Sequence, residues 1–291
     1  MGDPPCPDWT GLGAQTEQPL SEVEFALFDV ETTGLSPAYG HRVCEVACLR
    51  LRGGVEQACF TSLVDPKRPI SPGALHVHHI TPEMLHGAPP FDTIAGPLLE
   101  TMAGAVLVAH NAPFDLGFLA AELEIARLPP PDGPVVDTLA LVRRAYRFAR
   151  NSLPAVAVAL GIEPGPAHRA MGDVWTMRHL LERVLGDLER RWGVTTLGGL
   201  LAFQGGSIPY PRPRTLPLPP AIAEALAGQR RVWMRYLDAR GQETVRVVRP
   251  LHIHEERGNL YLVAHCYRRG ELRTFRLDRV VEMATEDRAD E

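Results

Sequence analysis

Four acidic residues and one histidine stand in settings where side chains of these types could do chemistry together. Asp29 and Glu31 close the apolar run EFALFDVE, and side chains two residues apart on a strand point to the same face. Asp115 follows the run AVLVAH in HNAPFDLGFL, and Asp173 comes five residues after His168 in HRAMGDV. Carboxylates placed side by side repel one another and are costly to bury, and a divalent cation between them removes that cost. The alternative for each acid taken singly is a solvated surface role.

An oxygen-rich site of this kind favours Mg²⁺ or Mn²⁺ over zinc. Four carboxylates can hold two divalent metal ions about 4 Å apart, and such a pair activates water and stabilises the leaving oxygen in an in-line phosphoryl displacement. His168 is then the natural general base, because imidazole groups titrate near neutral pH. The pattern therefore predicts phosphoryl-displacement chemistry with two bound metal ions.

The elements that must position these residues alternate between strand and helix. Short apolar runs predict four strands, the second and third joined through Gly-Gly as a hairpin: EFALFDV, RVCEVACLRL, VEQACFTSLV and AVLVAH. Longer periodic runs predict helices: PFDLGFLAAELEIARL, DTLALVRRAYRFA, SLPAVAVALG and AMGDVWTMRHLLERVLGDLERRW. Ser152 is the predicted N-cap of the third helix, and Gly161 its end. This order of elements predicts an α/β fold.

The C-terminal part of the chain has a different pattern. The stretch 205–220, GGSIPYPRPRTLPLPP, contains six prolines, which predicts a semi-rigid linker and not a helix or a central strand. Beyond it, short strand-like runs separated by polar turns predict a small β-barrel. The predicted organisation has five segments: a flexible tail 1–21, an α/β domain 22–204, the linker 205–220, a β domain 221–284 and an acidic tail 285–291.

Composition and charge exclude several classes of protein. A chain of 291 residues with 45% hydrophobic and 22% charged residues is an ordinary globular protein of roughly two domains. Residues 1–204 carry a net charge of −8 and residues 205–291 a net charge of +3, which makes the C-terminal part better suited to a polyanion. Lys67 is the only lysine, and no GK[ST] phosphate-binding loop occurs.

Cysteine usage and hydropathy predict a cytoplasmic location. The five cysteines form no CxxC pair, which favours reduced thiols over a zinc ribbon or a disulfide framework. The first twenty residues lack the pattern of a signal peptide. No run of about 18 apolar residues is present, so no membrane span is expected.

The three acidic segments resemble the exonuclease motifs of the DnaQ-like DEDDh superfamily. FDVETTGL, HNAPFDLGFL and HRAMGDV match them in order, over roughly residues 23–190. The resemblance implies a ribonuclease H-like fold, a mixed sheet flanked by helices, and 3′→5′ removal of nucleotides with two metal ions. Matched by position, the metal-binding acids are Asp29, Glu31, Asp115 and Asp173, and the base is His168. The segment that would hold the terminal nucleotide is Thr32, Thr33, Gly34 and Leu35.

Two further positions near these motifs have competing interpretations. His78 in LHVHHI aligns with a histidine that contacts the terminal nucleotide in this family, although His79 replaces the glycine that follows it there. Together with His76 the same residues suggest a zinc site, but they lack the partner Cys or His residues such a site needs. Asn111 either caps the following helix or positions substrate.

The C-terminal sequence VVRPLHIHEERGNLYLVAHCYRRGELRTFRLDRV is similar to the WYL domain, a small Sm/SH3-like β-barrel. The resemblance implies a module that binds nucleic acid or a nucleotide ligand. Arginine suits bidentate contact with phosphate, and five arginines lie within twelve residues: Arg268, Arg269, Arg273, Arg276 and Arg279. The alternative is a solvated face paired with Glu271 and Asp278. The alternation pattern does not assign the arginines to one face.

The sequence as a whole predicts a two-metal-ion 3′→5′ exonuclease. The expected substrate is the 3′ end of single-stranded nucleic acid, with DNA repair or end processing favoured, and the WYL-like module either tethers the substrate or regulates the enzyme. The alternatives are an RNA-processing exoribonuclease and an inactive regulatory protein that senses a ligand. The complete set of four acids and His168 argues against the inactive protein. The oligomeric state stays open.

Overall fold

The computed structural model describes residues 16–165, 168–211, 218–228, 230–238, 242–256 and 259–286. The chain divides into two compact units that do not follow the chain order. The first unit combines residues 1–31, 45–63 and 91–211, and the second combines 32–44, 64–90 and 212–291. Most of the predicted tail 1–21, part of the linker and most of the acidic tail lie outside the described residues.

The first sheet is mixed and has five strands in the order β3-β2-β1-β4-β5. Strands β2 and β3 pair antiparallel, whereas β1 pairs parallel with β4 and β4 parallel with β5. The bounds of the five strands are β1 Glu24–Thr32, β2 Val43–Arg52, β3 Val55–Leu63, β4 Val106–Ala109 and β5 Val135–Asp137. Because β1 is central and parallel to β4, the C-terminal ends of these two strands lie at one edge of the sheet.

In the described part of the chain, seven α-helices lie between residues 72 and 204. They are α1 Pro72–His78, α2 Phe91–Met102, α3 Ala112–Ala126, α4 Thr138–Ala145, α5 Leu153–Ala159, α6 Ala170–Trp192 and α7 Leu197–Gln204. Apolar side chains of α4 to α7 pack against β1, β2 and β4 in one buried cluster that includes Leu27, Val108, Val142 and Leu180. The longest helix, α6, ends at Gly193, whose φ of 66° lies in the left-handed region that favours glycine. The predicted α/β fold is confirmed.

The second sheet is antiparallel, with the strand order β10-β6-β7-β8-β9. Its strands are β6 Arg231–Leu237, β7 Glu243–Glu256, β8 Asn259–Cys266, β9 Glu271–Arg276 and β10 Val280–Glu286. Helix α8, Pro220–Gly228, begins at the last proline of the proline-rich stretch and buries Ile222 and Ala225 against the sheet. A proline is tolerated there because the backbone N–H groups of the first helical turn have no intrahelical carbonyl to donate to, so a missing N–H loses no helical hydrogen bond. A small C-terminal β domain is confirmed.

Among the described residues, no helix is both long enough and apolar enough to cross a membrane.

Candidate active site

Strand β1 delivers the first two acids of the site. Asp29 and Glu31 are both partly buried, and they alternate with the buried Val30 and Thr32, so both carboxylates project from the same face of the strand. Asp173 approaches them from the first turn of α6. One carboxylate oxygen from each of Asp29, Glu31 and Asp173 lies within 4.8 Å of the other two, which is close enough for shared metal ligation.

Asp115 joins this cluster from the first turn of α3, directly after β4. Its carboxylate is buried, and its Oδ1 accepts a hydrogen bond from the Val30 backbone N–H at 3.2 Å. The parallel pairing of β1 with β4 places the α3 terminus beside the end of β1. The Asp115 charge acts on Asp29 more strongly than the other neighbouring acids do, so the structure brings all four predicted acids together.

Burial and mutual repulsion raise the pKa values of these four groups. Burial is the largest cause for each of them. Burial and the Asp173 charge raise the pKa of Glu31 to about 8. Burial raises the pKa of Asp115 to about 8 against the hydrogen bond from Val30, and the pKa values of Asp29 and Asp173 are also raised. Four carboxylates with this oxygen-only donor set fit hard divalent cations such as Mg²⁺ or Mn²⁺.

His168 lies in the turn that precedes α6, with its side chain exposed. Its φ of 60° is a left-handed conformation that is uncommon for a residue with a Cβ. Its backbone N–H donates to Asp173 Oδ2 at 3.2 Å. With four residues between His168 and Asp173, the backbone of the predicted base is hydrogen-bonded to one of the predicted metal ligands. The imidazole itself stays open to solvent.

Sequence reasoning missed an ion pair that fixes the start of α6. Glu45 is buried on β2, and both its carboxylate oxygens contact the Arg169 guanidinium at 2.7 to 3.2 Å. Glu45 also accepts the backbone N–H of Ala170 at 3.0 Å. Because Arg169 lies next to His168, this pair holds the turn that carries the predicted base. The available signal was a glutamate inside the apolar run RVCEVACLRL.

The predicted nucleotide-holding segment, residues 32–35, is a tightly hydrogen-bonded turn. Thr32 Oγ1 donates to the Gly34 carbonyl at 2.7 Å, and Thr33 Oγ1 accepts from the Arg42 backbone N–H at 3.0 Å. A side chain at Gly34 would overlap the His41 ring, so this position requires glycine. Leu35 is exposed. The turn therefore presents one apolar side chain to solvent on a rigid base.

His78 is 2% exposed, and both its ring nitrogens lie against protein groups. Its Nδ1 accepts the Ile80 backbone N–H at 2.9 Å, which leaves the proton on Nε2, facing the Thr32 carbonyl at 3.2 Å. His78 therefore ties α1 to the end of β1. His79, which replaces the family glycine, has a φ of 57° as the C-cap of α1, a conformation that explains why glycine suits this position.

The side chain of Asn111 does not cap α3. Asn111 has a φ of 69° and an exposed side chain without a capping hydrogen bond, while its backbone N–H donates to Asp137 Oδ1 at 2.8 Å. Asp137 is buried and also caps α4 through the Leu139 N–H. Asp137 therefore sets the turn between β4 and α3, which sequence reasoning did not identify.

The five C-terminal arginines are distributed along one edge strand and its flanking turns. Arg268 and Arg269 are exposed in the turn before β9, Arg273 lies on β9 at 4.0 Å from Glu271, and Arg276 and Arg279 are partly buried near its end. Since a strand rises about 3.3 Å per residue, they form a line and not one compact patch.

The histidine clusters do not form a metal site among the residues described. Within that part of the chain, the one group of three or more suitable ligands is Asp29, Glu31 and Asp173. The His76 and His79 rings lie 6.4 Å apart.

Comparison with known proteins agrees with the geometry. The Exonuclease (RNase_T) family model matches residues 27–180, and the WYL domain model matches residues 218–285. A DNA polymerase III subunit epsilon-like protein of Rhodobacter capsulatus is 40% identical over 197 residues, which cover 66% of this chain and 28% of that protein. DNA polymerase III PolC-type of Halalkalibacterium halodurans is 36% identical over 174 residues, 60% of this chain and 12% of that protein.

A solved structure extends the likeness at the level of the fold. E. coli Exonuclease I in complex with a dT13 oligonucleotide has a TM-score of 0.53 and 18% identity, and the match covers 83% of this chain and 55% of that chain. This chain spans less than a third of the length of the two curated relatives described above. With an exonuclease match over more than half of its residues, the chain belongs to the exonuclease (RNase_T) family of DnaQ-like 3′→5′ exonucleases and carries a WYL domain behind its exonuclease domain.

Proposed function

We propose that this protein removes nucleotides from the 3′ end of single-stranded nucleic acid by hydrolysis of the terminal phosphodiester bond. The observation that carries the proposal is the cluster of four carboxylates at the C-terminal edge of β1 and β4. Divalent cations bound there would supply the Lewis acidity and positive charge that an in-line phosphoryl displacement requires. Asp29, Glu31, Asp115 and Asp173 are the groups that would hold them.

The remaining residues of the site bind and orient the substrate or accept a proton. The exposed His168 imidazole accepts the proton of the attacking water, while the backbone hydrogen bond to Asp173 and the neighbouring Glu45–Arg169 pair fix its turn. Thr32, Thr33 and Gly34 form the base of the terminal-nucleotide site, and exposed Leu35 contacts the terminal base. His78 positions the Thr32 carbonyl, and the exposed Asn111 side chain is free of any capping role and available to substrate.

DNA is the substrate we favour. The relatives described above carry the name DNA polymerase III, and the solved neighbour holds a dT13 oligonucleotide. The WYL domain supplies arginines on β9 and its flanking turns that suit a phosphate backbone, and Arg268, Arg269 and Arg273 are exposed. We place the reaction in the cytoplasm, where the four free cysteines of the described residues would stay reduced.

A time course with 5′-labelled DNA and RNA oligonucleotides of matched sequence tests the proposal. In Mg²⁺ or Mn²⁺ we expect a ladder that shortens from the 3′ end, faster on DNA than on RNA, and absent in EDTA. Asp29→Ala should abolish the ladder. Equal or faster degradation of RNA would make the protein an exoribonuclease, and no degradation under any metal would favour a regulatory binding protein.

A further inference from the structure

The second compact unit contains a cavity that the exonuclease chemistry does not use. Its volume is about 460 Å³, within the range of small-molecule sites in proteins. One wall comes from residues between His41 and Ser71, and the other from α8 and β7. The lining residues are His41, Arg68, Pro69, Ile70, Ser71, Leu218, Ala223, Leu226, Ala227, Arg249, Pro250, Leu251, His252 and Ile253. The cavity thus combines residues matched by the exonuclease family model with residues matched by the WYL model.

The ionisable side chains in the described lining of this cavity are all bases. Arg68, Arg249, His41 and His252 line it, and no carboxylate belongs to its described lining. Burial and the positive charges of Arg68 and His252 lower the pKa of His41 to about 3. Burial and the Arg42 guanidinium likewise lower the pKa of Arg68. With its pKa this low the His41 imidazole is a neutral hydrogen-bonding group, so the positive charge that would attract an anion to the cavity comes from Arg68 and Arg249.

The rest of the lining is apolar. Leu218, Leu226, Ile253 and the neighbouring prolines offer surface for a flat, weakly polar body, while guanidinium groups are well suited to phosphate oxygens. This combination of an anion-binding end and an apolar wall fits a nucleotide better than it fits inorganic phosphate.

The cavity is directly connected to the segment at residues 32–35. His41 Nδ1 lies 3.1 Å from Thr33 Oγ1, and the His41 ring packs against Gly34. Ser71, on the same wall, donates its backbone N–H to the Thr33 carbonyl at 3.0 Å. Two lining residues therefore hold Thr33, which follows Glu31 by two positions in the chain. A ligand that shifts or stiffens this wall acts on the turn that we assign to the terminal nucleotide.

We propose that this cavity binds a nucleoside monophosphate and that its occupancy sets the conformation of the turn at residues 32–35. Arg68 and Arg249 take the phosphate, and the apolar wall takes the base and sugar. The binding claim stands on the cavity alone, whereas the regulatory claim rests on the proposed function. A mononucleotide is also the class of product that a 3′→5′ exonuclease releases. The released product would then bind in the cavity and regulate the enzyme.

Calorimetric binding of dTMP and AMP to the full chain tests the site. The measurement is made in EDTA with Asp29→Asn, so that the acidic cluster holds no metal and contributes no product binding. We expect binding that weakens about tenfold or more in Arg249→Glu, and that is lost in Ala227→Trp, which fills the cavity from an exposed position. Arg231→Ala removes an exposed arginine outside the lining and should leave binding unchanged.

Inorganic phosphate and a 5′-phosphorylated oligonucleotide are the comparison ligands. Phosphate alone should bind more weakly than either nucleotide, because it leaves the apolar wall uncovered. Preferred binding of the oligonucleotide that is lost in Ala227→Trp would reassign the cavity to a strand end. No binding of either nucleotide, or binding that Arg249→Glu and Ala227→Trp leave intact, would overturn the proposal.

Amide hydrogen exchange tests the connection to the turn. Nucleotide should slow exchange at Thr33 and Ser71 in the Asp29→Asn protein, and this protection should disappear in Ala227→Trp. Protection confined to residues 218–253 would contradict the regulatory claim while leaving the binding site in place. Because neither readout needs nuclease activity, failure of this proposal is distinguishable from failure of the proposed exonuclease function.

Discussion

The acidic cluster of the first unit and the basic cavity of the second both gather like charges in partly buried surroundings, but they are built differently. Short carboxylates at the end of β1 and on the first turns of α3 and α6 form the acidic cluster. Long side chains and loop residues drawn from positions 41 to 253 form the cavity. The backbone therefore fixes the geometry of the acids, as ligation of a small cation requires, whereas the bases can adjust around an organic anion.

The largest effect should follow from removing one carboxylate of the acidic cluster. We expect Asp29→Asn to lower the exonuclease rate by roughly a thousandfold, because the site then lacks a ligand for the cation. In EDTA the same change should raise the free energy of unfolding by about 1 kcal/mol, since it removes repulsion between buried carboxylates. Rates and urea unfolding curves measure the two effects. The exposed Asp92→Asn should change neither, and an active Asp29→Asn enzyme would contradict the assignment.

The cluster should also make the metal-free protein less stable as the pH rises from mildly acidic to mildly alkaline values. The pKa of Glu31 is raised to about 8 in the folded state, compared with a usual value of 4.5. Between these two pH values the folded protein therefore keeps a proton on Glu31 that the unfolded chain has already released. The free energy of unfolding should therefore fall as pH rises from about 4.5 to about 8, by on the order of 2 kcal/mol. Unfolding curves in EDTA measure this loss, and Glu31→Gln should reduce it. A stability that rises over this pH range would count against the repulsion.

Breaking the Glu45–Arg169 pair should test how strongly catalysis depends on the fixed position of the turn that carries His168 beside the acids. We expect Glu45→Gln to cost about 2 kcal/mol of stability, because a buried carboxylate loses its charge beside a guanidinium. The rate should fall about tenfold through kcat, since the turn carrying His168 loosens. Glu182→Gln breaks an exposed pair with Arg178 on the same helix and should cost less than about 0.5 kcal/mol. Equal losses of rate and stability in Glu45→Gln and Glu182→Gln would show that the Glu45–Arg169 pair does not position His168.

The contact between Gly34 and His41 joins the turn at residues 32–35 to the cavity wall within the second unit, and it should respond to a small steric change. Gly34→Ala forces the new methyl group into the His41 ring, which we expect to raise KM about tenfold at a cost of about 1 to 2 kcal/mol. His41→Ala in the same protein should recover part of that loss, because it removes the clash. Additive effects in steady-state kinetics on short oligonucleotides would show that the two residues act independently.

The smallest effect should come from the exposed arginines before β9. Replacing Arg268 and Arg269 by alanine should weaken binding of a long strand a few-fold and reduce its salt dependence by about one phosphate contact per arginine. Cleavage of very short substrates should stay unchanged. Fluorescence anisotropy over a range of salt concentrations measures the slope, with the exposed Arg52→Ala as the matched control. An unchanged salt dependence would show that these arginines do not contact the bound strand. Point variants serve better here than deletion of residues 212–291, since that segment shares a compact unit with residues 32–44 and 64–90.

The acids could be found from the sequence because each one follows a recognisable strand or begins a recognisable helix. Alternation placed Asp29 and Glu31 on one face, and the resemblance to the DnaQ-like exonuclease motifs grouped Asp115 and Asp173 with them. The supporting groups were not found, because Glu45 and Asp137 act through partners 124 and 26 residues away. Local periodicity carries no information about contacts of that range.

The cavity and the roles of the histidines were also beyond the sequence. The lining residues come from segments that are far apart in the chain, and apolar and basic residues at such distances form no sequence pattern. The histidine cluster suggested zinc as an alternative, whereas packing around the end of β1 gives His78 two protein partners. The start of α8 at Pro220 was hidden within a stretch whose prolines predict a linker.

Titration of the metal-free protein with Mn²⁺, following bound metal and nucleotide release in the same samples, tests the central claim most directly. The account predicts that the rate rises from zero as two ions bind per chain, and that Asp29→Asn loses both binding and activity while Asp92→Asn keeps both. Nucleotide release in EDTA, or full activity in Asp29→Asn, would contradict the assignment of the acidic cluster as the metal-dependent exonuclease site.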